Sequence, residues 1–160
     1  PCILEGIASA ASSRLLEGRV YLALDRPSTA LAAFDEAIRL NPDLADAYTN
    51  RGASYNALGQ YQRALQDLDE AIKLNPEMAM AYNNRGNSYG NLDQLQRAIE
   101  DYDEAIRLDP ALSLAYYNRA LAYTMAGRDS DAQRDAERAV ELGSDPVSLN
   151  QAIRRLKEDR

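Results

Sequence analysis

The stretch Ala79–Pro110, AMAYNNRGNSYGNLDQLQRAIEDYDEAIRLDP, decides how the rest of the chain is read. One step earlier almost the same text stands at Ala45–Pro76, ADAYTNRGASYNALGQYQRALQDLDEAIKLNP. Pro42, Pro76 and Pro110 are spaced by 34 residues, as are Tyr21, Tyr55, Tyr89 and Tyr123, and Gly18, Gly52 and Gly86. A fixed period of this length marks a supersecondary unit that stacks on copies of itself.

Working outward, the chain divides into units 11–44, 45–78 and 79–112 and a fourth at 113–146. Each unit reads as two helices joined by a short turn. Asn41, Asn75 and Asp109 precede prolines, which push them out of the helical region and end the second helix. In the first unit the spacing predicts helices over about 12–24 and 27–40, with Pro27 placed where a helix starts but cannot continue. Gly59 supplies a left-handed turn residue, and Asp93 holds the equivalent place. The fourth unit lacks its proline and has Ser144 instead. Asp145 then reads as a helix cap with Pro146 at the first helical position. The last segment, 147–160, places Val147, Leu149, Ile153 and Leu156 on one side and charged residues on the other, as the end of an open stack requires.

Residues 1–10, PCILEGIASA, fall outside the pattern and read as a leader or capping turn. The start at Pro1 rather than Met reads as trimmed or processed. Cys2 has no histidine or basic neighbour to lower its pKa, so no thiol chemistry is expected of it.

Composition removes several functions. The net charge of −7 disfavours a nucleic-acid backbone or an anionic membrane surface as partner. One cysteine and no histidine exclude an intrachain disulfide and a Cys/His metal site. No apolar run reaches the length of a membrane span. There is no histidine for general-base work and no glycine-rich phosphate loop. No catalytic residue, metal or cofactor is therefore expected.

The phased small residues are Gly18, Gly52, Gly86 and Ala120 in the first helices. In the second helices they are Ala30, Ala64, Ala98 and Ala132, then Ala37, Ala71, Ala105 and Ala139. The phased large ones are Tyr48, Tyr82 and Tyr116, the tyrosines of the 34-residue series, and Phe34, Leu68 and Tyr102. With this pattern the chain resembles the tetratricopeptide repeat family over residues 11–144. The resemblance implies one all-α domain, 1–160. It would be a right-handed solenoid of stacked antiparallel helix pairs, with a concave groove lined by first helices. Two departures stand out. Repeat one has Arg14 and Glu17 where the others have Tyr and Arg. Repeat four has Ala136 where a large residue is usual, so looser packing is expected unless the last helix compensates.

Arg51, Arg85 and Arg119 are each followed sixteen residues later by Asp67, Asp101 and Asp135, and repeat one lacks both partners. This correlation predicts an Arg–Asp pair between the helices of each repeat, with solvated side chains as the alternative. The acids of DLDE (Asp67–Glu70) and EDYDE (Glu100–Glu104) otherwise read as a solvated helix face.

Helical periodicity places Asn50, Asn84 and Asn118 in the groove, one per repeat, with Arg19, Asn83, Asn87 and Tyr117 alongside. A side-chain amide both donates and accepts, so a regular series of them suits the backbone of an extended peptide. The series resembles the one lining the repeat superhelix of the O-linked N-acetylglucosamine transferases. The chaperone-tail clamp of the family needs cations that are missing here. Its positions fall on Leu15, Arg19, Asn50, Met80 and Asn84, or one repeat on, on Thr49, Ala53, Asn84, Leu114 and Asn118. The expected function is a non-enzymatic scaffold that binds a protein or peptide segment. The alternative is a structural subunit that forms homo-oligomers or organises a complex through its solenoid ends or last helix.

Overall fold

The computed structural model describes the backbone of residues 2–159 and the side chains of residues 6–159, so the side chain of Cys2 lies outside the described residues. Among these residues there are nine α-helices and no strand. They are α1 (Cys2–Ala23), α2 (Pro27–Leu40), α3 (Ala45–Ala57), α4 (Tyr61–Leu74), α5 (Ala79–Asn91), α6 (Leu95–Leu108), α7 (Ser113–Met125), α8 (Asp129–Glu141) and α9 (Pro146–Glu158). The predicted leader is instead the first part of α1. No proline interrupts residues 2–23, and the alanines of IASAAS favour a helix.

Each pair α1/α2, α3/α4, α5/α6 and α7/α8 packs together, and α2, α4 and α6 each pack on the first helix of the next pair. The turns inside the pairs need one residue with positive φ, supplied by Asp25 (53°), Gly59 (70°), Asp93 (59°) and Gly127 (73°). No described helix is long and apolar enough to cross a membrane.

Close approach of paired helices depends on matched sizes. A Cβ added to Gly18 would lie 2.4 Å from the Phe34 ring. The same addition would lie 2.7 Å from Leu68 Cγ at Gly52 and 2.6 Å from the Tyr102 ring at Gly86. Repeat four reaches the same end with Ala120 and Ala136, both buried. The bulk missing at Ala136 is made up by Leu149 of α9, which is fully buried against Ala120, Ala136 and Ala139. Its burial contributes about 2 kcal/mol.

The predicted Arg–Asp pairs form in all three repeats. Arg51 Nε and Nη2 donate to both oxygens of Asp67 at 2.7 Å. Arg85 holds Asp101 at 2.9 and 2.8 Å, and Arg119 holds Asp135 at 2.6 and 2.8 Å. The third nitrogen, Nη1, reaches back one repeat to Asp35, Asp69 and Asp103 at 2.5–2.7 Å. Each guanidinium therefore ties its own helix pair together and to the preceding pair. It also lies over Tyr48, Tyr82 or Tyr116, 5.4–5.6 Å from the ring centre. This corrects the reading of DLDE and EDYDE as a solvated face. Asp67 and Asp101 are buried, while Asp69 and Asp103 stay exposed and accept from the next repeat. Burial lifts the Asp101 carboxyl above the ordinary aspartate value, and Arg85 offsets this only in part.

The last helix breaks the pattern. α2, α4 and α6 end on extended residues at Asn41, Asn75 and Asp109. α8 is instead followed by a turn through Leu142 and Gly143, whose φ is 102°, and Ser144 N donates back to Ala139 O at 2.9 Å. The chain leaves at a different angle, so α9 packs mainly on α7 and meets α8 chiefly through Leu149. Asp145 caps α9, accepting from the backbone N–H groups of Val147 and Ser148 and from the Ser148 hydroxyl. These bonds hold its carboxyl below the ordinary aspartate value. A depressed acid stabilises the fold above its unfolded pKa, and that contribution is lost as pH falls through the folded one. Asp145→Ala is thus expected to lower the thermal midpoint at pH 7, with the difference shrinking below about pH 4, as followed by circular dichroism.

Candidate functional site: an amide-lined groove

The first helices carry two open recesses. The first, of about 490 Å³, is lined by Arg19, Asp46, Thr49, Asn50, Ala53, Met78, Met80 and Asn84 from α1, α3, the α4–α5 connection and α5. The second, of about 650 Å³, is lined by Asn56, Asn87, Asn91, Leu95, Tyr102, Asn118, Leu121, Met125 and Leu156. Asn84 belongs to the first and Asn87, one turn further along α5, to the second. The two therefore share α5 as a common wall.

The expected groove residues separate into two sets. Arg19, Asn50, Asn84, Asn87 and Asn118 line the recesses. Asn83 and Tyr117 do not. Asn83 is completely buried: its Nδ2 donates to Asn84 Oδ1 at 3.3 Å and its Oδ1 accepts from Asn118 Nδ2 at 3.0 Å. It orients two recess residues and offers no surface of its own. Tyr117 packs on the core cluster at the α9 end of the stack. Periodicity alone misplaced Asn83, because stacking turns its side of the first helix towards the neighbouring repeat rather than towards solvent.

Asn50, Asn84, Asn87 and Asn118 each have one end of the amide committed to the fold. Asn50 Nδ2 donates to Asp46 O at 2.7 Å, leaving its carbonyl oxygen. Asn118 Nδ2 is taken by Asn83, again leaving the oxygen. Asn84 Oδ1 accepts from Asn83 and Asn87 Oδ1 accepts from the Tyr102 hydroxyl at 2.8 Å, which leaves both NH2 groups. Acceptors at Asn50 and Asn118 thus flank donors at Asn84 and Asn87. A second set of bonds ties the repeats together: Asn56 Nδ2 donates to Asn84 O at 2.8 Å, and Ser88 Oγ donates to Asn56 Oδ1 at 2.7 Å.

Tyr102 and Leu156 were missed at the sequence level. Tyr102 had a signal. It is the one member of the Phe34, Leu68, Tyr102 series with a hydroxyl, and a buried hydroxyl needs a partner. Burial and the nearby Asp101 push its phenol well above the usual tyrosine value, so it stays protonated and donates to Asn87. Leu156 had no signal, since the displacement of α9 towards α7 carries it to the recess.

Comparisons with known proteins bear on this architecture. Family models described as tetratricopeptide repeat match residues 45–78 and 79–112 and residues 101–134, and one described as TPR repeat matches 18–59. No curated protein matches the chain. Among solved structures, MamA is 27% identical with a TM-score of 0.72, over 88% of this chain and 82% of MamA. TTC0263, a thermophilic TPR protein in Thermus thermophilus, is 22% identical with a TM-score of 0.84, over 94% and 82% of the two chains. The first TPR of Spaghetti (RPAP3), bound to the HSP90 peptide SRMEEVD, is 22% identical with a TM-score of 0.70, over 75% and 95%. The chain, with its 34-residue helix pairs and matched models spanning residues 18–134, belongs to the tetratricopeptide repeat family.

Proposed function

We propose that the groove binds an extended segment of a partner protein, with no chemistry performed on it. The observation that carries this reading is the set of half-committed amides at Asn50, Asn84, Asn87 and Asn118. An extended backbone offers donors and acceptors in turn, and those groups lose water on binding. Fixed side chains that present acceptors and donors at intervals replace that water without reading the sequence. Asn83 holds Asn84 and Asn118 in place. Arg19 supplies a cation at one end, and Leu121, Met125 and Leu156 supply apolar surface at the other. The peptide-bound RPAP3 relative is consistent with such a use of the fold.

The test is to select binders from a displayed library of random linear peptides and titrate them by fluorescence anisotropy. Asn50→Ala, whose amide bonds only its own helix, is expected to weaken binding about fivefold, as one hydrogen bond is worth about 1 kcal/mol. Asn84→Ala with Asn118→Ala is expected to weaken it about 30-fold, with the fold checked by circular dichroism. Affinities unchanged in both variants would overturn the reading.

A further inference from the structure

The second recess has the chemistry of a cation site, and we infer that it takes a long basic side chain, lysine or arginine, of the bound segment. This rests on the groove reading above and adds to it which side chain the partner presents.

The recess gathers the C-terminal ends of three first helices. Asn56 lies in the last turn of α3, Gly90 and Asn91 in that of α5, and Ala122 and Met125 in that of α7. A helix C-terminus carries the negative end of the aligned peptide dipoles, and a cation in the last turn offsets it. The second helices each supply one from their own sequence: Arg39 in α2, Lys73 in α4, Arg107 in α6 and Arg138 in α8. α3, α5 and α7 have no basic residue in the last turn. Arg63, Arg97 and Arg128, which follow these ends in sequence, lie over the rings of Tyr55, Tyr89 and Tyr123 and do not line the recess. Three negative helix ends therefore meet in one place, and none of the described residues lining it is a cation.

The side chains there have the same bias. Asn91 Nδ2 donates to Asn87 O at 2.8 Å, which leaves its side-chain oxygen. Asn118 also keeps its oxygen, and the Tyr102 hydroxyl, having donated to Asn87, keeps its lone pairs. Of the four amides lining the recess, only Asn87 has its NH2 group unbonded. Asp93 is the one charged group among the described lining residues, and it is exposed and forms no ion pair. Oxygens in excess beside a carboxylate suit a group that only donates, an ammonium or a guanidinium. The walls formed by Leu95, Leu121, Met125 and Leu156 suit the apolar stem that carries such a group. The net charge of −7 draws a basic segment towards the chain as a whole.

Room for that stem is kept by Gly90. Asn56 and Thr124 hold its place in the neighbouring repeats, so the repeat does not require glycine there. Its backbone is helical, and an added Cβ would come no nearer than 3.9 Å to Ala98 Cβ and the Tyr102 oxygen. Alanine would fit and is the better helix former. What glycine supplies is empty volume at the wall of the recess.

The test titrates isotope-labelled protein with two probes that share a four-carbon stem and differ in the terminal ammonium: N-acetyl-lysine methylamide and N-acetyl-norleucine methylamide. The lysine probe is expected to shift the Gly90 and Asn91 amide signals in nuclear magnetic resonance spectra, and to saturate them at about tenfold lower concentration than the norleucine probe. Asp93→Asn keeps a residue that tolerates the positive φ and should reduce this preference about fivefold. Gly90→Leu should abolish the shifts while melting no lower than the wild type by circular dichroism. Asp43→Asn removes an exposed acid outside both recesses and should change nothing. Equal saturation by the two probes overturns the inference. So does an equal loss in Asp43→Asn and Asp93→Asn, since the attraction would then be to net charge alone. Library peptides that bind through the amides but accept norleucine for every lysine and arginine also overturn it, and they leave the groove reading standing. A lysine probe that shifts Gly90 in a chain binding no library peptide sinks the groove reading and leaves the cation site standing.

Discussion

Arg85→Ala is expected to lower the free energy of unfolding by about 3 kcal/mol, the scale for removing one partner of a largely buried ion pair. Arg85 holds both oxygens of Asp101 and reaches Asp69 on the preceding repeat, so one substitution loosens a helix pair and a repeat junction together. The Asp101 side chain is 8% exposed and would be left charged without its partner. Asp69→Ala removes only the exposed arm and is expected to cost about 0.5 kcal/mol. The sign with pH follows from burial. The Asp101 carboxyl already lies above the ordinary aspartate value, and loss of Arg85 raises it further. An acid raised in the fold opposes folding as pH increases past its unfolded value. The deficit of Arg85→Ala should therefore be largest near neutrality and shrink as pH falls towards about 4. Urea titrations of the variant and the wild type at several pH values measure this. A deficit that does not change with pH would mean that Asp101 finds another partner.

Gly52→Ala is the second expected large effect. Alanine is the better helix former by about 1 kcal/mol, so an isolated helix would gain from the change. In the stack the new Cβ lies 2.7 Å from Leu68 Cγ, and Leu68 is fully buried with no room to retreat. Overpacking dominates, and a net loss of about 2 kcal/mol is expected. Leu68→Ala alone should cost about 3 kcal/mol through the cavity it leaves. The double variant should lose less than the sum of the two, by about 2 kcal/mol, because the added Cβ occupies part of the vacated space. It recreates the Ala120 and Ala136 pairing that repeat four already uses. A double-mutant cycle by chemical denaturation reads the coupling directly, and strict additivity would show that the two positions do not share space.

Much of this was legible in advance because a repeat writes each physical requirement several times. The prolines at 42, 76 and 110 marked where second helices end. The joint appearance of Arg and Asp sixteen residues apart, and their joint loss in repeat one, identified a pair before any distance was known. The missing bulk at Ala136 was also visible as a departure, although the pairing of Gly18 with Phe34 and of Ala120 with Ala136 was not. Illegible features depended on the angle between elements. Asn83 and Asn84 are adjacent and chemically identical, yet one is sealed and the other lines a recess. Their difference is a rotation of about 100° about the helix, which matters only once a neighbouring repeat covers one side.

The stretch Ala79–Pro110 by itself determined the period, the helix pairs, the stacking residues and the amide-rich face. These follow from local helical geometry and from repetition, so neighbouring residues suffice to specify them. The tertiary structure alone decided which amide ends remain unbonded, that each arginine spans two repeats, and that α9 leans onto α7 to carry Leu156 to the second recess. The physical reason is that these depend on how one repeat sits on the next. That arrangement is set by the summed packing of many side chains and, at the last joint, by the reshaped backbone at Gly143.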